Sequence, residues 1–94
     1  MEFFKDEKDQ QITLQLNGSL TYNNLDDLKE AFVTSFDVHS EIILDLNNIT
    51  ECDTAGIQLL WSARKTAEDK NKNFSIKNAS ESVKDAALRI GTEI

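Results

Sequence analysis

Two spacings of apolar residues alternate along the chain. Apolar and polar residues take turns over 12–16 and again over 74–76, which predicts strands with one buried face. The segment 42–46 is almost continuously apolar and rich in β-branched residues, which is typical of a central strand. Elsewhere apolar residues recur every three or four positions, which predicts helices. The second predicted helix runs over about 55–69, and the apolar residues of the first and third lie within 25–36 and 83–90.

The order of these segments predicts an α/β fold. Phe3 and Phe4 begin a short strand, and the polar residues 6–9 predict a turn, so that a hairpin opens the chain. Strands then alternate with helices, which favours parallel pairing and makes the whole sheet mixed. We therefore expect a single domain over 1–94, with an N-terminal hairpin and about three helices packed mainly on one face of the sheet.

Polar residues and one glycine predict where two of the helices begin and end. Asn23 or Asn24 can cap the first helix, and Ser80 can cap the last. Gly91 stands where a C-terminal glycine cap is expected.

Composition narrows the possible partners. The chain has 94 residues, with 10 Lys and Arg against 17 Asp and Glu, so its net charge is −7. Nucleic acids and anionic membranes need basic patches, which this balance disfavours. The single cysteine permits no intrachain disulfide, and no segment is apolar enough to insert in a membrane or act as a signal peptide. We expect a cytoplasmic protein.

Catalytic and metal-binding signatures are sparse. The lone His39 lacks a second histidine or a cysteine nearby and is expected to be a solvated loop residue. Cys52 stands near a predicted strand–helix junction and is expected to pack in the interior. Its acidic neighbours Glu51 and Asp53 would raise its thiol pKa, which argues against a nucleophile. No glycine-rich phosphate loop exists. A small enzyme using Asp45, Asp53 and His39 is a weaker hypothesis than the two binding functions described below. We therefore predict no enzyme activity, no metal and no cofactor.

The junction between the central strand and the second helix carries the most information. The stretch 47–54 predicts a polar connection around one apolar residue. Asp53 or Thr54 can then cap the unpaired amides of the first helical turn, which is an ordinary structural role. Gly56 lowers helix propensity in that turn, and a close approach of the helix to a strand would explain it.

Projection of the second helix at about 100° per residue predicts two faces. The core face is predicted to contain Gly56, Leu59, Leu60, Ala63 and Ala67. The opposite face is predicted to contain Ile57, Trp61, Arg64 and Glu68, with Thr54 nearby. Trp61 either leans onto a neighbouring element or anchors a docking patch, because Trp and Arg are enriched at interfaces.

On these residues the chain resembles a STAS domain, the fold of bacterial anti-sigma factor antagonists. The family has a hydrophobic strand ending in Asp-Leu, followed by Asp-Ser/Thr-Ser/Ala-Gly and a hydrophobic residue. The matching segments are Ile42–Leu46, Asp53–Ile57 and Leu59-Leu60, with further likeness in Gly18–Leu20 and Val83–Gly91. The resemblance covers nearly the whole chain.

The resemblance implies a phosphorylation switch. In such proteins a partner kinase, which is also the anti-sigma factor, phosphorylates the hydroxyl residue, and a phosphatase restores it. Thr54 matches that position, with Thr in place of the commoner Ser, and Asp53 matches the adjacent acidic residue. The expected partner-binding residues are Asp53, Thr54, Ala55, Gly56, Ile57, Trp61 and Arg64.

A second hypothesis keeps the fold without the switch. Some small STAS proteins act as fixed adaptor subunits in transport or chemotaxis-linked assemblies, and the motif Asp-Thr-Ala-Gly occurs among them too. Under this alternative the same helix face binds a protein partner with no phosphorylation of Thr54.

Overall fold

The computed structural model describes residues 2–92, which form four strands and three helices. The elements are β1 (Glu2–Lys8), β2 (Gln11–Leu20), α1 (Asp26–Val38), β3 (Glu41–Cys52), α2 (Thr54–Asp69), β4 (Asn73–Lys77) and α3 (Glu81–Arg89). One turn of 3-10 helix, Tyr22–Asn24, precedes α1.

The strands form one mixed sheet in the order β1-β2-β3-β4. β1 and β2 are antiparallel, whereas β2, β3 and β4 are parallel to their neighbours. The predicted α/β order and opening hairpin are confirmed. The turn lies later than expected, because β1 continues to Lys8 and Asp9 adopts a left-handed conformation with φ of 56°.

The core lies between one face of the sheet and the helices, as predicted. Alternate residues over 11–16 of β2 and 41–46 of β3 are buried on this face, while the residues between them are only half-buried on the other. Phe74 of β4 meets Phe32 of α1 edge-on, with ring centroids 5.9 Å apart. The fully buried side chains include Leu14, Leu16, Leu28, Ile42, Leu44, Leu46, Leu60 and Val83.

The predicted polar connection at 47–54 is wrong, because β3 runs on to Cys52. Two register shifts let the second half of β3 stay paired with β2, and Leu20 pairs with Cys52 at the end. Pairing with β2 satisfies the backbone amides and carbonyls of this segment, so its side chains can be polar and exposed. The polar side chains therefore did not indicate a loop. Ile49 remains buried in this half.

The helix ends follow the sequence in part. Ser80 caps α3 by accepting a hydrogen bond from the amide of Val83, and Gly91 follows α3 with φ of +77°, both as predicted. Neither Asn23 nor Asn24 caps α1, since the 3-10 turn leads directly into it and no side chain caps its first turn.

Within residues 2–92, no helix is both long and apolar enough to cross a membrane.

Candidate functional site

The N-terminus of α2 is organised by Asp53, which settles the choice between the two predicted caps. One carboxylate oxygen of Asp53 accepts a hydrogen bond from the amide of Gly56 at 2.9 Å. The other accepts from the amide of Tyr22 at 3.0 Å. The amide of Asp53 donates to the carbonyl of Leu20 at 3.2 Å. Asp53 therefore fastens the start of α2 to the segment that follows β2.

Gly56 permits α2 to begin directly against the sheet. It is buried, and a Cβ at this position would collide with the carbonyl oxygen of Leu20 and lie 3.2 Å from Sγ of Cys52. The close approach expected from the sequence is confirmed. Because the nearest atom belongs to the backbone, it cannot move aside as a flexible side chain would.

Thr54 is the first residue of α2 and is exposed to solvent. Its hydroxyl makes no hydrogen bond to any of residues 2–92. Both oxygens of Asp53 are occupied by backbone amides, so Asp53 acts on the helix start and does not hold this hydroxyl. Asp53 caps the amide of Gly56, and the remaining first amides of α2 carry partial positive charge at the end of the helix where Thr54 stands.

The predicted outer face of α2 is wrong at Ile57, which is fully buried. Helix α2 contacts α3 as well as the sheet, so more of its circumference is covered than a single apolar face would require. Leu59, expected in the core, is only half-buried. Ile57 therefore supports the helix start from within and does not belong to an exposed patch.

Trp61 lies on the solvent side of α2 and is 43% exposed. The guanidinium carbon of Arg64 lies 5.2 Å from the centroid of the Trp61 ring, in cation–π geometry. Seven residues separate Thr54 from Trp61, which is nearly two helical turns, so the two side chains share one face. We call Thr54, Trp61 and Arg64 the α2 patch.

Two neighbours of this site were not found from the sequence. Tyr22 is 77% exposed and is held beside the α2 start through its amide. Arg89 of α3 donates from Nη2 to the carbonyl of Cys52 at 3.3 Å. Both are brought here by the fold: β2 and β3 are parallel, so the segment after β2, which contains Tyr22, lies beside the start of α2.

Asp45, Asp53 and His39 do not form a common site. Asp45 lies in the middle of β3, where its carboxylate accepts from the amide of Asn47 at 3.1 Å. His39 and Asp53 lie just before and just after β3, at its opposite ends. His39 is buried, not solvated as expected, with Nε2 3.9 Å from a carboxylate oxygen of Glu7. Within the described chain, no group of three or more His, Cys, Asp and Glu residues could hold a metal ion.

Cys52 is a packing residue, as the sequence predicted. It is 7% exposed, and burial together with the charge of Asp53 raises its thiol pKa from 9.0 to about 11, although Arg89 opposes this shift. The thiolate is the reactive form, so the folded protein holds Cys52 in its unreactive form at neutral pH.

This shift predicts how stability depends on pH. Well below pH 9 the thiol is protonated in both states, and its contribution to stability is constant. As pH rises from about 9 to about 11, the unfolded chain ionises first, so the free energy of unfolding falls. Urea unfolding across this range should show that the free energy of unfolding falls less with pH for Cys52→Ala than for the unchanged protein. Equal declines would contradict the assignment.

Comparison with known proteins places this geometry in a family. The family model described as "Mlab, STAS domain" matches residues 3–93. The comparison with curated protein sequences gives no significant match.

Solved structures share the fold at low sequence identity. The anti-sigma factor antagonist SpoIIAA from Bacillus, in its unphosphorylated form, superposes with a TM-score of 0.75 at 17% identity, over 96% of this chain and 81% of that one. Its phosphorylated form gives 0.74 at 16% identity, over 96% and 84%. An anti-sigma factor antagonist STAS domain from Rhodobacter sphaeroides gives 0.69 at 17% identity, over 87% and 94%.

A larger protein contains a similar unit. The crystal structure named Mglu matches with a TM-score of 0.70 at 13% identity, over 79% of this chain but only 19% of that one. The fold expected from the sequence is confirmed by these superpositions. Since the family model spans almost the entire sequence, the chain belongs to the STAS domain family.

Proposed function

We propose that this protein regulates a protein partner by binding it through the α2 patch and that phosphorylation of Thr54 releases the partner. The observation that carries the proposal is the exposed Thr54 hydroxyl at the start of α2, on the same face as the exposed Trp61. The proposed partner is an anti-sigma factor that is also a serine/threonine kinase, with a phosphatase as the resetting enzyme, in the cytoplasm.

The fold is suited to carry a phosphate at Thr54. A phosphoryl group adds about −1.5 to −2 charges at neutral pH. The positive end of the α2 dipole favours an anion there, so the modified domain should stay folded. The nearest interactions of Asp53 are with backbone amides, and they do not depend on the Thr54 hydroxyl.

A docked partner would not tolerate the same charge. Phosphate within a buried contact must lose its hydration, and the carboxylate of Asp53 adds like charge beside it. Each ~1.4 kcal/mol of such penalty lowers affinity tenfold. Modification can therefore end binding without unfolding the domain, which is what a reversible switch requires.

The comparisons support the proposal at the level of the fold. SpoIIAA is named as an anti-sigma factor antagonist and has been solved in unphosphorylated and phosphorylated forms, and both superpose on this chain about equally well. A phosphorylated state is thus compatible with this architecture.

The test compares three variants as baits in extracts of the source cells. Thr54→Ala should retain the partner, and Thr54→Glu should lower its affinity by about tenfold or more. Thr34→Glu adds the same charge at an exposed threonine of α1 and serves as the matched control. Mass spectrometry of the native protein should find phosphate on Thr54. Equal capture by all three baits, with no phosphate on Thr54, would contradict the switch.

The alternative is a constitutive adaptor that uses the same patch. The stacking of Arg64 on Trp61 favours it, because this contact orders a docking surface that needs no phosphate. Under this alternative Thr54→Ala and Thr54→Glu should capture the same scaffold or transporter subunit to the same extent.

A further inference from the structure

A second surface lies between α1 and α2, away from the α2 patch. It is an open groove with a cavity of about 220 Å³. Phe32 and Phe36 of α1 form its floor, and both rings are otherwise buried in the core. Val33, which is 64% exposed, and the half-buried Leu59 form its walls.

The groove exists because α2 presents small side chains on this side. Ser62, Ala63 and Thr66 line it, and their short side chains fill less space than larger residues would at the same positions. On the helical wheel these positions lie about a quarter to half a turn from Thr54 and Trp61. The groove and the α2 patch are therefore separate surfaces of one helix.

The charges around the groove are unusual for this chain. Among residues 2–92, the only charged residues that line it are Lys29 and Lys70, although acidic residues outnumber basic ones by 17 to 10 in the whole sequence. Lys70 lies 3.7 Å from the carboxylate of Asp37, but both side chains are about half exposed or more, so this pair is weak. An apolar groove between two lysines complements an occupant that is apolar in its centre and acidic at its edges.

The size of the groove indicates the kind of occupant. Small-molecule pockets usually enclose about 300–1,000 Å³, which is more than this groove offers. Its volume fits one or two apolar side chains of a larger ligand. An amphipathic helix presents such side chains at i and i+4, with the neighbouring positions free for carboxylates.

We propose that the groove between α1 and α2 binds an acidic amphipathic helix of a protein partner, with apolar anchors over Phe32 and Phe36 and carboxylates beside Lys29 and Lys70. Binding here does not require the Thr54 hydroxyl. The protein can in this way hold one partner segment at the groove while the α2 patch engages another surface.

Fluorescence anisotropy with two synthetic helices tests the proposal on the unmodified protein. Both peptides have about four turns and leucines at i and i+4, one flanked by glutamates and the other by lysines. The glutamate peptide should bind about tenfold or more tightly than the lysine peptide, and added salt should weaken it. Sodium decanoate serves as a small anionic amphiphile in a competing titration.

Three substitutions locate the binding. Lys29→Glu should weaken the glutamate peptide about tenfold, and Val33→Glu should do the same by placing a carboxylate on the groove wall. Val38→Glu is the matched control, since Val38 is equally exposed on α1 but does not line the groove. Any of three results would overturn the proposal: the glutamate peptide fails to bind, both peptides bind equally, or Lys29→Glu and Val33→Glu both bind the glutamate peptide as tightly as the unchanged protein does. Binding of decanoate but of neither peptide would also overturn it, and would show that the groove binds a small amphiphile.

Discussion

Replacing Gly56 with alanine is expected to lower the free energy of unfolding by about 2 kcal/mol. The added Cβ would collide with the carbonyl oxygen of Leu20 and crowd Sγ of Cys52, so α2 must shift away from the sheet. Overpacking of this kind costs about 1–3 kcal/mol and more where the neighbour is backbone. Alanine also gains about 1 kcal/mol of helix propensity over glycine, which offsets only part of the cost.

Urea unfolding followed by circular dichroism measures this effect, and two substitutions serve as controls. Gln58→Ala changes an exposed position of the same helix and should alter stability by less than about 0.5 kcal/mol. Gly91→Ala meets no atom within 4 Å, so it should cost only the backbone strain of its positive φ, about 1 kcal/mol. A Gly56→Ala protein as stable as the unchanged one would show that α2 can retreat from Leu20 without loss.

The order of the elements could be predicted because each one has a clear local period. The alternation over 12–16 fixes which face of β2 is buried, and the helical spacing over 25–36 places Phe32 and Phe36 in the core. Ser80 marks the start of α3 by capping the amide of Val83, and Gly91 marks its end with a positive φ. Such features depend on short stretches of chain, so the sequence alone determines them.

The features that could not be predicted depend on distant partners. The second half of β3 looks like a loop until β2 pairs with it and supplies its backbone hydrogen bonds. Ile57 looks exposed on a wheel of α2 alone, because the wheel does not show the contacts that α2 makes with α3 and the sheet.

The candidate site divides in the same way. Thr54 at the helix start and Trp61 on its outer side follow from one helix and were predicted. The position of Tyr22 beside Asp53 depends on two strands that meet at one edge, and the amide–carboxylate bond between them is visible only in the folded chain. The groove between α1 and α2 likewise depends on how two helices approach each other, which their separate periodicities do not specify.

Replacing Trp61 with alanine is expected to weaken partner binding about 30-fold or more, with the proposed partner recovered by the Thr54→Ala bait as the ligand. A tryptophan at the centre of an interface typically contributes about 2 kcal/mol or more. Because Trp61 is 43% exposed, its loss should change the free energy of unfolding little. Arg64→Ala should have a smaller effect, since an exposed cation–π contact contributes only about 0.5–1 kcal/mol.

Titration calorimetry with purified partner measures these affinities. Val38→Ala removes an exposed apolar side chain from α1, at 62% exposure, and should leave the affinity unchanged. If Trp61→Ala binds as tightly as the Val38→Ala control, Trp61 has no part in docking. The partner-binding surface would then lie around Tyr22 and Thr54.

A double-mutant cycle then decides whether the phosphate acts at the surface that Trp61 anchors. If Thr54 and Trp61 contact the same partner surface, the penalty of Thr54→Glu should shrink when Trp61 is already alanine, because the partner no longer packs closely enough to exclude water. If the two penalties simply add, the charge acts on a separate part of the interface. In that case the switch at Thr54 repels the partner directly at the helix start, and Trp61 contributes affinity independently of it.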